Sequence, residues 1–195
     1  KRLIVVDNGS TDETYEYVLK VCGGRPECKV IKLPKNAGWA YGNNRGALLA
    51  KDSRYILFLN DDAYLMSRDC LTKLVAYMEG DNRLGAIQPI IVNRDGTLNL
   101  GLTIGLSGLP KMISSHLYKL SFLSGAALMV RTSAFFNVGM FDESLFLYHD
   151  DVDFSWRLRA RGWKIAVVRG CSVFHWGSAT LGEESPTYFY YMLRN

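Results

Sequence analysis

Residues 56–63 read Ile56-Leu57-Phe58-Leu59-Asn60-Asp61-Asp62-Ala63. Four apolar residues, opened by Tyr55, run straight into a pair of adjacent carboxylates. A continuous apolar run of this length predicts a strand buried on both faces, the habit of parallel sheets. Charge is not stable in such an interior without a partner, so the acids must emerge at the strand's C-terminal end. In open α/β sheets that edge is where ligands bind. Side chains alternate along a strand, so Asn60 and Asp62 share one side if the strand persists, and Asp61 faces the other. One carboxylate can then hold a hard divalent cation while its neighbour takes a different group, such as a sugar hydroxyl. Mg²⁺ suits this arrangement, because one or two carboxylates plus substrate phosphates usually hold it. The plain alternative is a polar strand end turning into a loop, and for an isolated Asp-Asp it is the better one. The rest of the chain reverses that balance.

Toward the N-terminus the same grammar repeats. Residues 3–6 (Leu3-Ile4-Val5-Val6) predict a buried strand ending in Asp7-Asn8-Gly9-Ser10-Thr11-Asp12. Ser10 and Glu13 have capping-box spacing, and Tyr15, Val18, Leu19 and Cys22 recur at helical spacing. Asp7 is an acid at a strand tip, with a turn-forming Asp as the equal alternative. After a Gly23-Gly24-Arg25-Pro26 break and a short strand over 29–33, a segment rich in Asn and Gly runs from Asn36 to Gly46 into a helix. Glycine in a helix costs roughly 1 kcal/mol relative to alanine, so its glycines need a reason, either close packing or a ligand. A helix N-terminus also favours anions.

Beyond the acidic strand end, Ser67 is a candidate cap for a helix carrying Leu71, Leu74, Val75 and Met78. Residues 85–92 predict a strand, and Asn93-Arg94-Asp95-Gly96 a turn. Residues 101–121 have no clear period and predict a mobile lid or acceptor-facing loop, with His116 a surface histidine. Residues 122–131 predict a buried strand whose Ser124-Gly125 pair permits close approach to the backbone, and a short helix follows from Ser133. His149-Asp150-Asp151-Val152-Asp153 is a second acidic cluster, ahead of a helix over 154–161 that carries Arg157, Arg159 and Arg161. Acids first and cations last suit the helix dipole. The dipole does not account for three carboxylates in four positions, which repel and raise one another's pKa. Strands over 163–168 and 171–176 follow, the second bearing His175; the chain ends in an aromatic helix start over 188–195.

Length and composition narrow the class. With 195 residues the chain makes one domain with a good core. At 48% hydrophobic and 22% charged residues it is an ordinary globular sequence, so disorder is not expected. A net charge of +4 is too weak to argue for nucleic acid; it suits an anionic substrate or peripheral contact with anionic lipid. Cys22, Cys28, Cys70 and Cys171 lack metal-ligand spacing and predict reduced thiols in the cytoplasm. No signal peptide or membrane-length apolar run is present in these residues. The chain opens on Lys1 and enters a strand at once, which suggests an excerpt of a longer protein.

Taken together, these motifs resemble the inverting family 2 glycosyltransferases of the GT-A fold, in particular the rhamnosyltransferase-like branch. Asp7-Asn8-Gly9-Ser10 is similar to that family's nucleotide-binding turn. The spacing Asn36-x-Gly38-x-Ala40-x-Gly42-x-Asn44-x-Gly46 is similar to its donor-side segment, and Asn60-Asp61-Asp62 stands where it carries a metal motif. Gly139-x-Phe141-Asp142-Glu143, then Tyr148-x-Asp150-Asp151-x-Asp153 and Arg157, resembles the segment bearing the catalytic acid; His175 and Arg194-Asn195 also fit. Each motif is weak alone; their order and spacing are specific.

The resemblance implies an α/β fold, a mixed sheet flanked by helices, lacking the family's N-terminal strand. It makes residues 1–195 a single domain, with a nucleotide-binding half over 1–92 and an acceptor and catalytic half over 93–195. It implies Asp151 as general base with Asp150 beside it. Asp7, Asn8, Ser10, Asn36, Gly38, Asn44 and Asp61 would bind the donor, and Asp62 and His175 would hold Mg²⁺ or Mn²⁺. The implied reaction transfers a sugar, with inversion, from a UDP- or dTDP-sugar to a hydroxyl of a glycan or lipid-linked glycan. It serves cell-surface polysaccharide or glycolipid synthesis at the inner face of the membrane. Two other classes fit the acids: a nucleotidyltransferase acting on sugar phosphates, and a domain that binds nucleotide or glycan without turnover.

Overall fold

The computed structural model describes residues 1–104, 110–113, 120–177 and 185–195. The chain begins with β1 (Leu3–Asp7), α1 (Thr14–Cys22), β2 (Cys28–Lys32) and α2 (Trp39–Leu48). Next come β3 (Tyr55–Leu59), β4 (Ala63–Leu65), α3 (Cys70–Gly80) and β5 (Leu84–Asn93). Three short strands follow, β6 (Leu98–Asn99), β7 (Leu102–Ile104) and β8 (Pro110–Met112). The last part holds β9 (Ala127–Arg131), α4 (Thr132–Asn137), α5 (Asp150–Ala160), β10 (Lys164–His175) and α6 (Pro186–Arg194).

A mixed sheet in the order β3-β9-β5-β10-β4, with β6 beside β5, forms the centre. β5 and β10 are parallel, whereas β3 runs antiparallel to β9. Parallel pairing between strands of residues 1–92 is confined to β1 and β2, which form a separate two-stranded sheet. This explains why β3 is less buried than its apolar sequence predicts. Among the described residues β3 has a strand partner on one edge only; Phe58 is buried, and Leu59 is 39% exposed.

Helices close both faces of the central sheet. α3 buries Cys70, Leu74 and Met78, four residues apart along one face, against Leu84, Ile87 and Met129. On the other face Phe58, Phe135, Phe141 and Phe154 meet in edge-on and tilted pairs with centroids 4.9–5.4 Å apart, geometries that the ring quadrupole favours. Leu158 of α5 completes this cluster.

Several local expectations need correction. Ser10 does not cap α1: its backbone N–H and hydroxyl both turn back to Asp7 Oδ1. Asp12 accepts the Thr14 N–H instead. Ser67 offers only its carbonyl to the Cys70 N–H. The strand expected over 122–131 starts at Ala127, because Phe122 instead bridges to Leu102. The two strands expected after Trp163 are one, β10, with a register shift between Val168 and Ser172. Cys22 and Cys28 are joined by a disulfide across the Gly-Gly-Arg-Pro loop, against the expected reduced thiols; Cys70 and Cys171 are free and buried. The proposed lid over 101–121 lies partly, and His116 wholly, outside the described residues. Among the described residues no helix is long and apolar enough to cross a membrane.

Candidate active site

Strand register brings the two acidic clusters together. β3 ends at Leu59, opposite Ala127, so the Asn60 N–H reaches the Ala126 carbonyl at 3.0 Å. One residue earlier, the Gly125 N–H donates to Asp151 Oδ2 at 2.8 Å. The tip of β3 and the start of α5 therefore meet through one short peptide segment.

At the β3 tip the chain turns at once, the Ala63 N–H returning to the Asn60 carbonyl. Because the strand stops at Leu59, Asp61 is exposed on the turn and Asp62 bends inward. Asp62 Oδ2 accepts the Gly177 N–H at 3.1 Å. Asp62 Oδ1 is buried, has no hydrogen-bond partner among the described residues, and lies 3.2 Å from His175 Nε2. Antiparallel pairing of β4 with β10 sets this meeting, since Ala63 stands opposite His175. A carboxylate oxygen left without a donor beside an imidazole nitrogen fits a divalent cation, whose remaining positions phosphate oxygens and water can fill.

The second cluster occupies the first turn of α5. Asp151 is held by two N–H groups, from Gly125 and from Val152 at 2.9 Å. Burial still raises its carboxyl above the ordinary range, against the pull of those bonds. Asp150 is 4% exposed and its Oδ1 has no partner among the described residues. Burial, and next the charge of Asp151, push the Asp150 carboxyl up to about 8. Asp153 is neutralised by Arg157, whose Nη1 also donates to the Val138 carbonyl at 2.7 Å. Arg157 thus steadies Asp153, whereas His175 stands beside Asp62.

The loop feeding this cluster is pinned at several points. Tyr148 and His149 take φ of 64° and 66°, the left-handed region that side chains rarely enter. Asn195 Nδ2 donates to the Leu147 and Tyr148 carbonyls at 2.8 and 3.1 Å, and Tyr191 stacks on Phe146. From α2, the Trp39 N–H donates to the Phe146 carbonyl at 3.0 Å. Gly38, at φ 96°, allows this contact: a Cβ there would lie 2.4 Å from the Phe146 carbonyl oxygen.

The donor-side residues divide into two groups. Asp7 is buried, with Oδ1 engaged by Ser10 and Oδ2 without a partner among the described residues. Asp7 is thus free to accept a further bond. Asn8, by contrast, is occupied: Nδ2 donates to Asn36 Oδ1 at 3.1 Å and the Gly38 carbonyl at 3.0 Å, and Oδ1 accepts the Ala37 N–H at 3.2 Å. Asn36 Oδ1 also accepts the Gly38 N–H, while Asn36 as a whole is exposed. Asn44 departs furthest from expectation. It is fully buried, donating to the Phe141 carbonyl and Glu143 Oε1 and accepting the Phe141 N–H. No polar group of its side chain is left for a donor sugar; it anchors the loop before the second acidic cluster. The helix glycines have a packing reason, since a Cβ on Gly46 would lie 3.1 Å from Val6 Cγ2.

Sequence reasoning passed over two residues of this site. His149 has both ring nitrogens buried and without a partner among the described residues. Trp39 donates from Nε1 to Asn60 Oδ1 at 3.0 Å and lies against Gly125. The only signal for Trp39 was a large aromatic residue among the small ones of the Asn/Gly segment.

Comparison with known proteins bears on the family and the fold. The sequence model of glycosyl transferase family 2 matches residues 1–142. Poly-β-1,6-N-acetyl-D-glucosamine synthase of Staphylococcus aureus (strain COL) is 27% identical over 170 residues, 85% of this chain and 40% of that protein. The chain thus spans less than half of that relative's length. GalNAc-T7, solved with UDP, GalNAc and Mn²⁺, superposes with a TM-score of 0.75 at 17% identity, over 98% of this chain and 41% of that one. TarS 1–349 of S. aureus, in complex with UDP, gives a TM-score of 0.68 at 19% identity, over 99% of this chain and 54% of that one. These likenesses show the GT-A glycosyltransferase fold.

Proposed function

Because the chain belongs to glycosyl transferase family 2, we propose that it moves a sugar from a nucleoside diphosphate sugar to an acceptor hydroxyl with inversion. The observation that carries this reading is the meeting of two unlike acidic sites at residues 125–126. One offers an unpartnered Asp62 oxygen beside His175; the other holds Asp151 by backbone N–H groups.

In this reading Asp62 and His175 would hold Mg²⁺ or Mn²⁺ where the donor diphosphate binds. The bound cation supplies charge neutralisation for the leaving group. Asp7 Oδ2 accepts a hydrogen bond from the base, and exposed Asp61 faces the ribose. Asn8, Ser10, Asn36 and Gly38 shape the turn around that pocket. Asp151 takes the proton of the acceptor hydroxyl as its oxygen attacks the anomeric carbon and the bond to the diphosphate breaks on the opposite face. Asp150, protonated at neutral pH, avoids a second negative charge beside the base. Hexosyl or rhamnosyl transfer to a growing surface glycan or glycolipid is the specific form we propose. The name of the staphylococcal relative supports a polysaccharide product, and UDP in two structural neighbours supports a uridine donor.

The test is single-turnover transfer from a panel of UDP- and dTDP-sugars with Mn²⁺, reading product and anomeric configuration by NMR. Inverted product is expected, with the rate in Asp151→Asn lowered about 10²-fold or more and donor affinity retained. Retained configuration, or an Asp151→Asn rate near wild type, overturns the assignment. Pyrophosphate release from a nucleoside triphosphate and a sugar 1-phosphate, assayed in parallel, would mark a nucleotidyltransferase, and binding without turnover a non-catalytic domain.

A further inference from the structure

We propose that Gln88 and Ser155 are positioning residues for the general base: they hold the peptide over 123–125 so that the Gly125 N–H stays aimed at Asp151. The inference rests on the base reading of Asp151 above. This peptide lies between Phe122, which bridges to Leu102, and β9, which starts at Ala127, so no ladder serves its N–H groups. Leu123, Gly125 and Ala126 are buried, and buried N–H groups need acceptors. Side chains supply them. The Leu123 N–H donates to Ser155 Oγ at 3.0 Å, the Ser124 N–H to Gln88 Oε1 at 2.7 Å and the Gly125 N–H to Asp151 Oδ2 at 2.8 Å.

The pattern is a clamp. Asp151 and Ser155 stand about one turn apart on α5, a rise of about 6 Å, and two residues at strand spacing cover about 6.6 Å. Alternate N–H groups therefore reach α5, and the one between them reaches β5. Val152, the other donor to Asp151, belongs to α5 itself. Gly125 is thus the donor that ties the base to a second part of the fold, and Gln88 braces that tie from the opposite side.

Gln88 is fully buried in the middle of β5, where a polar side chain costs stability unless it is bonded. Its Nε2 faces the Pro89 and Asn99 carbonyls, both at 3.4 Å. A flipped amide would set NH₂ against the Ser124 N–H and oxygen against two carbonyls, so one orientation holds. Asn99 is fixed in turn, its Oδ1 accepting the Gly101 N–H at 2.8 Å. Gln88→Met keeps the length of the side chain and removes the acceptor for Ser124. Ser155→Ala does the same to Leu123. Either loss lets the peptide shift and weakens the Gly125 bond. That bond favours the ionised form of Asp151, which burial opposes. Weakening it raises the carboxyl further, so the base ionises at higher pH. The titratable groups that face Asp151 come from the start of α5: His149 and Asp150, with Asp153 paired to Arg157. The peptide over 123–127 and the Trp39 ring packed on it carry none.

The experiment uses the full-length protein and the UDP- or dTDP-sugar that the panel above turns over. Gln88→Met and Ser155→Ala should each lower single-turnover transfer about tenfold, since misplacing a reacting group by about 1 Å costs up to about 10²-fold. The acidic limb of the pH–rate profile should move to higher pH and Gly125 amide exchange should quicken, with Mn²⁺-dependent UDP affinity retained. Added to Asp151→Asn, either substitution should cause no further loss of rate, because residues that act as a unit are not additive. A wild-type rate and limb in both variants overturn the proposal. So does an equal tenfold loss in the Asp151→Asn background, which would mark a general loosening of the core. If Gln88→Met does not fold, Ser155→Ala carries the same tests. If Asp151→Asn itself transfers at the wild-type rate, the base reading has failed, and this inference with it.

Discussion

The two acidic clusters have similar composition and different surroundings. At the tip of β3, Asp61 is exposed and Asp62 faces a histidine. At the start of α5, Asp150 is buried with an unpartnered oxygen, and Asp151 is gripped by N–H groups. A carboxylate at a sheet edge beside an imidazole is suited to keeping its charge and sharing it with a cation. A carboxylate in an apolar recess is suited to exchanging a proton. Position in the fold, rather than residue type, separates the two tasks.

The largest effect that sharpens this contrast is on binding. Asp62→Ala should lose about 10²-fold in Mn²⁺-dependent UDP affinity, at or above the scale for disrupted metal sites, and removing Mn²⁺ with EDTA should lower wild type to the same level. Isothermal calorimetry on both proteins checks it. Equal affinities with and without metal would erase the distinction between the clusters.

The next effect concerns stability and pH. Below about 3.9, the ordinary Asp value, folded and unfolded chains both hold the Asp150 proton. Between there and about 8 only the folded chain holds it, so each step up in pH favours unfolding. Above about 8 both states are ionised and the full penalty remains. Asp150→Asn should therefore stabilise the protein, by about 2 kcal/mol or more at pH 8 and less at pH 5. Urea denaturation at the two pH values measures the difference; a gain that does not grow with pH would mean Asp150 titrates normally.

The smallest effect tests how the second cluster disposes of its third acid. Arg157→Lys keeps the charge but loses the fork that serves both Asp153 and the Val138 carbonyl. A loss of about 1 kcal/mol is expected, with donor affinity unchanged. A fall in donor affinity would show that Asp153 belongs to the donor site.

Much of this was legible in the sequence because it is local. An apolar run ending in Asn60-Asp61-Asp62, or three acids opening a helix, advertises itself without knowledge of the partner. Asn8 and Asn44 are ambiguous in the sequence because an amide in a glycine-rich segment serves a ligand or a neighbouring backbone equally well. Asn44 finds its backbone 97 residues away, a separation no local pattern encodes. The pairing of β3 with β9, and hence the meeting of Asn60 with the Ala126 carbonyl, is equally non-local. Cys22 and Cys28 stand six positions apart and carry no motif; only the bend at Gly23-Gly24 brings them together. Trp39 carries no motif of its own among the small residues on either side of it.

The β1–β2 pair has a further meaning. Among the described residues no backbone hydrogen bond joins it to the central sheet, and none of its residues belongs to the three buried apolar clusters. It is attached through α2 and through Arg2, which reaches Asp52 and Ser53. A nucleotide sugar held as proposed, with its base at Asp7 and its diphosphate at Asp62, would span that seam. The substrate would then act as a tie-beam between two sheets that share no ladder, and occupancy would change the cooperativity of the whole domain as well as its chemistry.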